Sequence, residues 1–122
     1  MNTLNFVLVG MDEIGKDLVD LKDWDSRKYN HLISNFYITK SAVRYFSIKK
    51  GISFTSSKVA DNFPMPVTVA GSCLNCLEQL DVIEVRTKSS SPDRYLAKTT
   101  DMERLEKIEE LLVENKEIPS YK

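Results

Sequence analysis

The chain has little with which to build metal or disulfide chemistry: two cysteines and one histidine in 122 residues. A structural zinc site usually needs four ligands. Here Cys73-Leu74-Asn75-Cys76 is the one cysteine pair, and His31 lies far from it in sequence. The pair falls in the middle of a predicted helix, not where a strand feeds a helix N-terminus, so it does not suit thiol–disulfide exchange. Both cysteines and His31 are expected to be structural, with no metal and no cofactor bound. A nucleophile elbow, paired carboxylates in an apolar setting and metal-ligand spacings are also missing, so nothing argues for an enzyme and no residue is assigned as catalytic.

Long apolar runs are absent as well. None approaches the roughly 18–20 residues of a membrane span. The opening Met1-Asn2-Thr3-Leu4 lacks the basic start of a secretory signal, and Asp12 and Glu13 arrive too early for an apolar signal core. A cytoplasmic protein without membrane contact is the expectation. No repeat, low-complexity tract or Gly/Ser linker divides the chain, and its length is that of one domain. Within it, residues 1–25 form an acidic N-terminal segment, 26–98 a core and 99–122 a C-terminal amphipathic helix.

One near-motif is discarded on chemistry. Gly10-Met11-Asp12-Glu13-Ile14-Gly15-Lys16-Asp17 almost spells a phosphate loop, but Asp17 stands where a Ser or Thr hydroxyl must meet Mg²⁺. Asp12 and Glu13 would add repulsion where backbone amides should face phosphate. The glycines are read as turn and helix punctuation.

The net charge of −1 conceals a strong pattern. Six acids and two lysines occupy residues 12–25. Residues 26–60 hold seven bases (Arg27, Lys28, Lys40, Arg44, Lys49, Lys50 and Lys58) and no acid, and from Asp101 onward seven acids meet four bases. Two readings follow: one anion-facing side, or alternating solvated faces.

Periodicity supplies the elements. Residues 4–9 form an apolar run or short strand. Ile14, Leu18 and Leu21 make one helical stripe, and Asp25 or Ser26 caps a helix burying Tyr29, Leu32, Ile33 and Phe36. Thr39 or Ser41 is placed as the cap of the next helix, which turns Ala42, Val43 and Phe46 inward and stops at Lys49-Lys50-Gly51. Thr55 or Ser56 opens a helix to about residue 62, which Pro64 ends. Pro66 is read as a first-turn proline of a helix over 67–80 with Ala70, Cys73, Leu74 and Leu77 inside. Residues 82–87 and 94–98 are predicted strands around the polar turn 88–93.

Helix, tight turn, helix and then a hairpin with basic residues at its tip resembles the winged helix-turn-helix family. The resemblance is best over about residues 53–98 and is carried by Leu74-x-x-Leu77-Glu78-x-Leu80-Asp81-Val82-Ile83-Glu84-x-Arg86. Asp81 stands where many members have glycine, and Asp tolerates the left-handed turn better than most residues. The resemblance implies a mainly α fold with a small β-hairpin wing, extra N-terminal helices and a C-terminal amphipathic helix. It implies that helix 67–80 enters the major groove of double-stranded DNA, with Thr68, Ser72 and Asn75 turned outward and Gly71 allowing close backbone approach. Arg86, Lys88 and Arg94 would lie on or beside the wing (82–98) at phosphate or minor groove, and Lys58, Arg44 and Lys40 could add phosphate contacts. One departure bears on this: no Lys or Arg lies between Val59 and Val85, so the recognition helix carries no positive charge of its own.

Thr100-Asp101-Met102-Glu103 reads as a capping box before a helix with an apolar stripe of Met102, Leu105, Ile108, Leu111 and Leu112. That stripe either packs on its own domain or forms a homodimer, which would set two recognition helices on a palindromic site. The leading functional expectation is a sequence-specific DNA-binding transcriptional regulator. The alternative is a winged-helix protein–protein interaction module, an inhibitor or adaptor of a nucleic-acid machine.

Overall fold

The structure is a computed structural model, and it describes residues 13–87, 94–96 and 100–120. It is mainly helical. The order is α1 (Glu13–Trp24), α2 (Ser26–Ser34), α3 (Phe36–Arg44) with a π-helical continuation over Tyr45–Lys50, α4 (Ser56–Asn62), α5 (Val67–Gln79), β1 (Glu84–Thr87), β2 (Arg94–Leu96) and α6 (Met102–Glu114). Among the described residues no helix is long and apolar enough to cross a membrane. The apolar run 4–9 and the turn 88–93 lie outside the described residues.

Most helix boundaries follow from local chemistry. Asp25 caps α2 by accepting from the Lys28 amide, and the Thr55 hydroxyl caps α4 by accepting from the Lys58 amide at 3.1 Å. Phe63 takes an extended backbone before Pro64 and closes α4. Pro66 sits one position earlier than expected, at the N-cap of α5 rather than in its first turn. Gly51 ends the π turn in the left-handed conformation, at φ 64°.

Asp81 adopts φ 61°. Around it the Asp81 amide donates to the Glu78 carbonyl and the Val82 amide to the Leu77 carbonyl, a complete Schellman closure of α5. This turn drops Val82 and Ile83 into the core before the strand begins, so β1 starts at Glu84 instead of Val82. β1 and β2 pair antiparallel, Glu84 opposite Leu96 and Val85 opposite Tyr95, with an irregularity between Val85 and Thr87.

Two expected caps are displaced. Helix α3 begins at Phe36 with Asn35 as its N-cap, and Thr39 lies inside the helix at 2% exposure. The Asn35 amide still reaches the His31 and Leu32 carbonyls, and its own carbonyl accepts from the Thr39 amide, so helical bonding barely breaks there. The inward positions Phe36, Thr39, Ala42, Val43 and Phe46 then form one stripe. At α6 the cap is Asp101, whose carboxylate accepts from the Arg104 amide at 2.9 Å, while Thr100 pairs with the Ser47 hydroxyl at 2.6 Å.

The core joins α1, α2, α3, α5 and α6 through residues such as Leu32, Val43, Leu74, Leu77, Leu105 and Ile108, all essentially inaccessible. The stripe of α6 is therefore buried inside its own chain: Leu105, Ile108 and Leu112 are 0–2% exposed, with Met102 and Leu111 packed beside them.

Candidate nucleic-acid interface

Helices α4 and α5 are joined by Phe63-Pro64-Met65-Pro66, with Met65 buried beneath the turn. The helix pair packs together where Gly71 faces Ser56. A Cβ built on Gly71 would stand 3.9 Å from the Ser56 side chain, in ordinary contact. Gly71 thus faces α4 and is half-buried. Its φ is not in the left-handed region, so Gly71→Ala is expected to raise stability by about 0.5–1 kcal/mol through helix propensity. Urea midpoints of the two proteins check this, and a lower midpoint would mean that α4 and α5 cannot accept the methyl group.

The inner face of α5 is Ala70, Cys73, Leu74, Cys76 and Leu77. The spacing of Thr68, Ser72 and Asn75 places them on one opposite face. Thr68 is exposed; Ser72 and Asn75 are half-buried. From α2, Lys28 reaches across with its Nζ 3.0 Å from Asn75 Oδ1 and 3.7 Å from Asp25. Gln79 Nε2 donates to the same Asn75 oxygen at 2.7 Å. A bidentate contact from Asn75 to adenine requires its oxygen to exchange one of these donors for the base.

Lys28 is the residue that reading along the chain missed in this role. The helix it serves has no cation of its own, and the charge arrives from 47 residues away. Its neighbour Arg27 is exposed. Lys58 is exposed on α4. Arg86 lies in β1 at the irregularity, and Arg94 lies in β2 opposite Thr87. Lys88 falls outside the described residues.

The basic block does not form one surface. Lys40 turns to α6, where it pairs with Glu109 and, at 3.2 Å, with Glu106. Burial works against its charge, but hydrogen bonds to these two carboxylates more than offset this and hold its pKa above the ordinary value. Arg44 lines the same cleft beside Glu106, Glu109 and Glu110. The placement of Lys40 as a phosphate contact is therefore corrected, since the acids of α6 neutralise it within the molecule; Arg44 stays exposed beside those acids. Lys49 and Lys50 are exposed at the end of the π turn, Lys50 lying 5.8 Å from the Tyr45 ring centre.

Cys73 and Cys76 are fully buried and unbridged, and Cys73 Sγ donates to the His31 carbonyl at 3.5 Å. Burial pushes both thiols up, Cys76 to about 12, so neither supplies thiolate at neutral pH. They pack α5 against α2. Gly15, Lys16 and Asp17 lie within α1, where the backbone is helical and cannot wrap a phosphate. No family model, curated protein or solved structure matches the chain.

Proposed function

We propose that the chain is a DNA-binding regulator of the winged helix-turn-helix class, with α5 as the helix offered to the major groove and β1–β2 as the wing. One observation carries the reading: Lys28 reaches Asn75, which shares by helical spacing the polar face of α5 that carries Ser72 and Thr68. A recognition helix without a cation lacks the electrostatic term that dominates affinity for duplex DNA, and a lysine brought in from α2 supplies it. The first turn of α5, with exposed Thr68, is the end that meets base edges in this class of docking. The acids of α1 lie toward the other end, where Gln79 neighbours Asp17 and Asp20.

Fluorescence anisotropy against a mixed-sequence duplex at about 50 and about 200 mM salt tests the proposal, since phosphate contacts release counterions and binding must weaken steeply between them. Lys28→Ala is expected to weaken binding to all duplexes alike and to lower the salt slope by about one. Asn75→Ala should penalise a preferred site over random duplex, and the triple change of Arg86, Lys88 and Arg94 to Ala should abolish binding with the fold intact. No binding at the lower salt sinks the proposal.

The rival, a winged helix that docks a protein, draws support from a different observation: Lys40 and Arg44 face acids of the same chain, which thins the cationic surface. A homodimer reading a palindrome would need a surface other than the stripe of α6, whose leucines and isoleucine are already covered.

A further inference from the structure

Glu13, Asp17, Asp20 and Trp24 recur at spacings of four, three and four, and so form one stripe along α1. At its end stands the chain's single tryptophan, with 87% of its surface exposed. Most large aromatics bury their rings, and a tryptophan left open is the residue type most often found as an anchor of protein contacts. Beside the indole runs a groove whose floor is Leu21 and Leu80 and whose walls are Asp17, Asp20, Trp24 and Gln79. The carboxylates here outnumber their counter-ions. Arg104 pairs with Asp17 at 3.2 Å, while burial, and after it the negative charges of Glu13, Asp81 and Asp20, raise the pKa of the same carboxyl.

We propose that this groove is a docking site for an arginine side chain presented by a basic segment of a partner protein. The aliphatic stem would lie over Leu21 and Leu80, the guanidinium would stack on the Trp24 indole, and its N–H groups would donate to Asp20. Charge complementarity selects this occupant: a cation relieves the mutual repulsion of the carboxylates, whereas a nucleic acid is repelled. Arginine suits the site better than lysine because its planar fork stacks on an aromatic face and bonds a carboxylate at once. Residues 1–12 contain neither Lys nor Arg and cannot supply such a side chain. The site is separate from the DNA reading, so Trp24→Leu leaves duplex binding unchanged whether or not that reading holds.

The lone tryptophan makes the test direct. In the free full-length protein Trp24 should be quenched by acrylamide as readily as a free indole. Titration with a capped peptide of alternating arginine and alanine, at low salt, should then change its emission saturably. Calorimetry with the same peptide should show affinity falling about five- to tenfold in Trp24→Leu and in Asp20→Asn, the size of a stacked and paired guanidinium. The lysine–alanine counterpart should bind more weakly than the arginine peptide. Any of three results overturns the proposal. Trp24 shielded from acrylamide in the free protein means the chain or a second copy already covers it. No saturable change with the arginine peptide means there is no site. Equal affinity for the lysine peptide, unmoved by Trp24→Leu, means diffuse attraction to an acidic surface.

Discussion

Phe46→Ala is expected to lower stability by about 3–5 kcal/mol, the range for truncating a buried aromatic to alanine. Phe46 is 2% exposed and stacks on Phe54 with ring centres 5.2 Å apart, while Tyr45 and Phe63 meet it edge-on at 5.1 and 6.2 Å. These partners matter by position. Phe54 directly precedes the cap of α4 and Phe63 directly follows its last turn, so one ring in the π turn holds both ends of a seven-residue helix too short to persist alone. Urea unfolding followed by circular dichroism should show a much lower midpoint with an unchanged slope. Phe46→Leu, which keeps most of the volume, should lose far less. A loss below about 1 kcal/mol for the alanine variant would mean that the aromatic cluster does not support α4.

The second large effect is expected at Arg104. Its Nε donates to the Leu80 carbonyl at 2.6 Å and its NH2 reaches Asp17 at 3.2 Å, so one guanidinium ties α6 to the end of α5 and to α1. Arg104→Ala should destabilise by about 1.5–3 kcal/mol, the usual worth of hydrogen bonds to a charged group. The loss should also depend on pH. Burial, and then the charges of Glu13, Asp81 and Asp20, raise the Asp17 pKa above 3.8 against the opposing pull of Arg104. Without that cation the folded-state pKa rises further. The folded protein then binds more protons than the unfolded chain, and stability falls as pH rises from the unfolded value through the folded one. Thermal melts of Arg104→Ala should therefore fall further behind those of the parent from acid toward neutral pH. A deficit constant with pH would mean that Asp17 does not feel the substitution.

Local chemistry makes much of this architecture legible in the sequence. Thr55 and Pro64 bracket α4, Gly51 and Asp81 mark left-handed stops, and the stripes of α1, α5 and α6 are regular enough to identify. Each of these signals lies within a few residues of what it determines. The failures share the opposite property. Thr39 resembled a cap because a threonine before an apolar stretch often is one, but the helix continues through Asn35 and turns Thr39 inward. Lys40 belonged to a block of uncompensated bases until α6 brought Glu109 to it from 69 positions away. Lys28 gave no sign of belonging to the face of α5. A charge tally along a sequence counts neighbours in the chain, whereas screening and pairing act through space.

The foot of the hairpin has a mechanical meaning. The Asp101 amide donates to the Val82 carbonyl at 2.7 Å, and Thr100 is bonded to Ser47 of the π turn. With Val82 and Ile83 sunk in the core and Val85 packed against it, β1 starts from a clamped base. A load applied to β1 is delivered at that base, to the carbonyl of Val82, the Schellman turn at Asp81 and through it the last turn of α5. Slow amide exchange at Val82 and Asp101 would be the signature of that clamp.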